Sequence, residues 1–77
     1  MTDIRKAILD AAYEVWKERG LSGWLLLSSL AEELLVENHE LFREAEYLMA
    51  KGLVHFPGKG RLSITVNGVD EVEGRLS

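Results

Sequence analysis

His39, Arg43, Glu46 and Ala50 recur at the spacing of a single helical face. With Glu40 and Tyr47 on the shoulder, that face offers an imidazole, a guanidinium and a phenol. These groups can donate hydrogen bonds to anions or to polar edges. A second basic pair, Lys59 and Arg61, lies in "PGKGR", where two glycines suit a tight, exposed turn. Such residues can do contact chemistry with anionic groups rather than bond-making. His39 and His55 are the only histidines, no cysteine is present, and neither H-x-x-x-H nor H-E-x-x-H occurs, so no metal or other cofactor is expected. Glu32/Glu33 and Asp70/Glu71/Glu73 supply paired carboxylates, but at capping or exposed positions with no nucleophile nearby, which points away from an enzyme. "GKG" lacks the phosphate-loop pattern and precedes a strand rather than a helix.

The elements that must position these groups are legible in the periodicity. Ile4, Ile8, Ala11 and Val15 predict a first helix, widened by Leu9, Tyr13 and Trp16. Thr2 is placed to cap it, Gly20 to end it in the left-handed region, and Leu21 to pack back on Trp16. Trp24 to Leu27 reads as a short strand or as core. Ser29-Leu30-Ala31-Glu32 matches a capping box and predicts a second helix from about Leu30 to Val36, burying Leu30, Leu34 and Leu35. A third helix over 38–51 is capped by Asn38, with Leu41, Ala45, Leu48 and Gly52 on its inner line, Phe42 and Met49 beside them, and Glu37 and Glu44 near the inner edge. Gly52 stops it, and Leu53 packs on Leu48. "LVHF" and "LSITV" then bracket the basic turn as a hairpin, with Gly58 and Gly60 supplying positive φ. Asn67 can cap a last short helix carrying Val69, Val72 and Leu76 on one side.

Length and charge bound the rest. Seventy-seven residues form one domain, 1–77, and 47% hydrophobic with 29% charged residues is a globular balance. The fold class expected is α+β and mostly helical. "MTDIRKAILD" mixes charges into its apolar residues, unlike a secretory leader, and no apolar run approaches bilayer length. The lack of cysteine suits a reducing cytoplasm. A net charge of −4 argues against a protein held on DNA or anionic lipid by bulk electrostatics alone, while leaving room for a local basic patch.

The order helix, short strand, helix, tight turn, helix, hairpin resembles a winged helix-turn-helix domain. "EYLMAKGLV" (46–54) resembles the end of the third helix of that superfamily, and "ITVNGVDEVE" (64–73) the strand leaving the wing and the short helix after it. The likeness covers about residues 4–73 and is specific for fold rather than for function. Such domains are mostly DNA-binding regulators, so the likeness implies a small cytoplasmic transcriptional regulator that binds double-stranded DNA as a dimer, with 38–51 as recognition helix and 57–61 as wing tip. Arg43 would then take a base edge, His39 and Tyr47 would touch phosphate, and Glu46 would accept from cytosine or repel phosphate. Lys59 and Arg61 would grip the backbone or minor groove, with Arg5 or Lys6 adding charge from the first helix.

A different function class fits the same residues. Arg43 paired with Glu40 or Glu46 on a solvated face, in an acidic third helix, suits a protein-interaction or dimerisation module that binds no DNA. Trp16, Trp24, Tyr13 and Phe42 read as core or core edge, or else as a dimer face. Val69, Val72 and Leu76 are expected to cover Leu9, Tyr13 or Trp16 of the same chain or of a second copy in a homodimer.

Overall fold

A computed structural model describes residues 3–76. Four helices and a three-stranded antiparallel sheet make an α+β arrangement in the order α1 (Asp3–Arg19), β1 (Leu25–Leu26), α2 (Leu27–Leu34), α3 (Asn38–Ala50), β2 (Val54–Gly58), β3 (Arg61–Ile64) and α4 (Val66–Leu76), with a 3-10 turn at Gly20–Ser22. The strands lie in the order β1-β3-β2, so β3 is central and "WLLL" does pair with the hairpin. Among the described residues, no helix is long and apolar enough to cross a membrane. The expectations that fall on Thr2 and on the Leu76 side chain lie outside what is described.

The apolar stripes converge on one cluster. Ile8 and Leu9 of α1, Leu41, Ala45 and Leu48 of α3, and Leu62 of β3 have no exposed surface at all. Leu27 and Leu30 of α2 and Val54 and Ile64 of the hairpin close it. Burying a residue of this size contributes roughly 1.5–3 kcal/mol, which offsets the chain entropy that a small domain must lose.

Helix ends show where local sequence and tertiary demand part. Gly20 and Gly52 both take the left-handed conformation, at φ 74° and 78°. After α3 the Leu53 N–H reaches the Leu48 carbonyl at 3.0 Å and the Gly52 N–H reaches Met49 at 2.9 Å, the paired bonds of a Schellman stop. Leu21, by contrast, stays half exposed instead of packing away.

Helix α2 departs most from expectation. It starts at Leu27, three residues early, with Leu26 at the cap position and no side-chain cap bond, so the Ser29–Glu32 capping box does not form. Pairing of β1 with β3 decides this, because the Leu27 N–H is already satisfied by the Gly60 carbonyl at 2.8 Å. The helix stops on Leu35 at φ 59°, again with Schellman bonds (Val36 to Ala31, Leu35 to Glu32). A leucine fills a position that glycine usually takes, and it is 91% exposed rather than buried. At α3 the cap position falls on Glu37, no side chain caps the helix, and Asn38 is its first residue. Glu37 is exposed, not at an inner edge.

In the hairpin, register runs Val54↔Ile64, His55↔Ser63 and Gly58↔Arg61, so Phe56 and Pro57 together face Leu62 in a β-bulge. Proline, which has no N–H to offer, fits that place. Only Gly60, not Gly58, has positive φ. Thr65, not Asn67, caps α4: its hydroxyl oxygen accepts the Gly68 N–H at 3.1 Å while its proton goes to the Gly52 carbonyl at 2.6 Å. That one hydroxyl ties the start of α4 to the end of α3.

Val69 and Val72 bury α4 against the core of the same chain. Tyr13 donates its hydroxyl proton to Glu73 Oε2 at 3.1 Å, and Arg75 meets Asp10 at 3.1 Å, so α1 holds α4 at two further points. Burial first, then the hydrogen bond to Glu73, raises the Tyr13 pKa from its ordinary 10.0.

Candidate nucleic-acid interface

Helix α3 presents His39, Arg43, Glu46 and Tyr47 to solvent because Leu41, Ala45 and Leu48 take its opposite face into the core. His39 and Arg43 stand between two surface hollows. One, of about 350 Å³, is shared with Ile4, Glu40 and Glu44; the other, of about 590 Å³, with Asn38, Phe42 and Glu46. His39 Nδ1 faces Glu37 Oε2 at 3.2 Å, both well exposed, so the imidazole leans toward the start of the helix.

Tyr47 sits differently from the other three. The Arg5 guanidinium lies 3.5 Å from its ring centroid, and Lys51 Nζ lies 5.5 Å from it. Arg5 Nε also donates to Glu44 Oε1 at 3.0 Å, with both side chains mostly buried. The first-helix cation reckoned toward an anionic partner is therefore engaged within the fold, as is Glu44, which lies near the inner edge as its position on the wheel predicts. Lys6 remains on the surface.

The basic turn lies beside α3. Phe42 of α3 and Phe56 of β2 stack at 5.6 Å with planes only 8° apart, which fixes the hairpin against the exposed edge of the helix. Lys59 and Arg61 are both exposed. Arg61, however, does not project from the tip. It lies opposite Gly58, and its guanidinium carbon is 4.4 Å from the centroid of Trp24. A Cβ on Gly58 would come within 3.2 Å of Arg61 Cδ, so the glycine leaves room for that side chain to turn across the sheet.

The distribution of carboxylates is the feature that single residues did not reveal. No Asp or Glu occurs between Glu46 and Asp70, nor between Glu18 and Glu32. Folding brings those two acid-free stretches together, since they contain all three strands and the 3-10 turn. The sheet and hairpin thus carry His55, Lys59 and Arg61 without a carboxylate, while α3 mixes Arg43 with Glu37, Glu40 and Glu46. Among the described residues no group of acidic and histidine side chains is arranged to hold a metal ion. Comparison with protein-family models, with curated proteins and with solved structures gave no match to this chain.

Proposed function

We propose that this chain is a winged helix-turn-helix domain that binds double-stranded DNA as a small cytoplasmic regulator acting as a dimer. The hairpin is its principal phosphate contact, and α3 lies along the groove. The observation that carries this reading is the acid-free sheet and hairpin, held beside α3 by the Phe42–Phe56 stack. In this reading Arg43 takes a base edge, His39 and Tyr47 position, and Lys59 and Arg61 meet the backbone. The glutamates of α3 are then a specificity element, since a carboxylate near phosphate is tolerated only where the groove keeps it away.

Two cations facing phosphate, Lys59 and Arg61, give a log–log salt slope of about −1.8, or about a 12-fold loss of affinity between about 50 and 200 mM salt. The test is fluorescence anisotropy of a labelled mixed-sequence duplex across that range, repeated with Arg43→Glu combined with Lys59→Glu. The double variant should lose binding and keep its circular dichroism. A salt-independent signal, or retained affinity in the variant, would overturn the proposal.

A second reading is favoured by a specific observation. Phe42, Met49 and Leu35 are exposed, the first two at 44% and 42%, among exposed glutamates on α2 and α3. A protein-interaction module would use such an apolar, acidic surface against a basic partner or a second copy. Absence of duplex binding at low salt, together with a stable dimer by sedimentation equilibrium, would select it.

A further inference from the structure

Trp24 precedes β1 and turns away from the core, as alternation along the strand requires: Leu25 packs inward, while Trp24 and Leu26 are 38% and 43% exposed. The same face carries Ser63 and Arg61, which alternate with the buried Leu62 and Ile64 along β3. The Ser63 hydroxyl is buried against the carbonyls of Gly23 and Leu21, to which it donates. Register pairs Leu26 with Arg61, so Trp24 stands farther from the hairpin, level with Ser63, and Arg61 reaches it diagonally, with Lys59 beyond at the turn. The Arg61 guanidinium carbon lies over the indole, 4.4 Å from its centroid, a cation–π pair of two planar groups.

We propose that Trp24 and Arg61 form a stacking platform for an unpaired nucleobase of a single-stranded nucleic acid, with Lys59 taking an adjacent phosphate. A base can extend the stack on the guanidinium or share the exposed part of the indole, since every base has a π-face and needs no fixed hydrogen-bond pattern. Charge complementarity favours a polyanion at the hairpin side: neither the strands nor the turn between β2 and β3 carries a carboxylate, while Glu14 and Glu33 share a hollow with Leu25 and Leu26 at the β1 edge. The fit of Arg61 supports this, because Gly58 opposite it leaves the space in which the guanidinium reaches Trp24. The inference rests on the same basic hairpin as the duplex reading, but it turns on a side chain that the duplex reading does not use.

The test uses the whole chain carrying Trp16→Phe, which leaves Trp24 as the one tryptophan, titrated at low salt with an oligothymidylate and an oligouridylate of about eight nucleotides. Quenching of Trp24 by either oligomer is expected, the two arms separating DNA from RNA. Affinity measured by anisotropy should fall about tenfold or more in Trp24→Leu and recover in Trp24→Phe. Because Trp24 is partly exposed, an unchanged thermal melt of the leucine variant separates loss of stacking from loss of fold. Duplex affinity should be insensitive to Trp24→Leu, whereas Arg43→Glu should weaken the duplex and spare the single strand. No quenching by either oligomer, or equal affinity with leucine and tryptophan at position 24, would overturn the platform. Single-strand binding without duplex binding would sink the duplex reading and leave the platform standing.

Discussion

Gly68 and Gly74 lie on the same helix, yet the same substitution should move stability in opposite directions. On propensity alone, Gly→Ala inside a helix gains about 0.8–1 kcal/mol. At Gly68, however, an added Cβ would collide with the Leu53 carbonyl oxygen and stand 2.5 Å from Ile64 Cγ1. Restoring an ordinary carbon–carbon contact of roughly 3.5–4.0 Å would displace α4 by about 1 Å or more. The Leu53 carbonyl cannot yield easily, because it accepts the Thr65 N–H at 3.1 Å. Displacement would also stretch the 3.1 Å cap from Thr65 to the Gly68 N–H. Overpacking at the upper end of its usual range, about 3 kcal/mol, plus loss of a cap worth about 1, less the propensity gain of about 1, leaves Gly68→Ala less stable by about 3 kcal/mol. For a small domain that lowers Tm by roughly 12–24 °C. A Cβ on Gly74 meets nothing within 4 Å, so Gly74→Ala should raise Tm by a few degrees, about 1 kcal/mol at most. Thermal and urea unfolding followed by circular dichroism measures both. A Gly68→Ala protein as stable as its parent would show that α4 does not sit against the Leu53 carbonyl and the Ile64 side chain, and the argument would fail with it.

Thr65→Ala should destabilise by about 1–2 kcal/mol in urea, while Thr65→Ser, which keeps the hydroxyl, should restore most of that. Leu35→Gly should stabilise by about 1 kcal/mol, because the left-handed backbone at φ 59° is easier for glycine and the lost side chain is almost wholly in solvent. A fall in melting temperature would mean that Leu35 makes contacts which its exposure denies. Tyr13 has a raised pKa in the folded state, so its contribution is complete below its ordinary value of 10.0 and is lost as pH climbs from there through the folded value. Melts across that alkaline range should therefore decline more steeply for the parent than for Tyr13→Phe. Equal slopes would refute the raising of the Tyr13 pKa by burial and the Glu73 bond.

The sequence by itself determined the helical elements and the core. Apolar spacing at Ile4–Val15 and Leu41–Leu48 has one physical solution, a buried stripe, and Gly20 and Gly52 mark stops because they take positive φ without a Cβ penalty. Outward placement of His39 and Arg43 followed from the same geometry, since the face opposite a buried stripe is solvent. Capping was less legible. Ser29, Asn38 and Asn67 all have the right chemistry, yet β1 pairing satisfied the start of α2, and the approach of Gly52 to Thr65 gave α4 its cap. Those outcomes depend on groups distant in sequence, which local preference cannot sense. The same holds for the candidate site. Arg5 is drawn to Glu44 and Tyr47 across 39 and 42 positions, and Arg61 is drawn to Trp24 across 37. The acid-free stretches can be read in one dimension, but only the pairing of β1 with β3 makes them one surface, because electrostatic potential depends on distance through space and not along the chain.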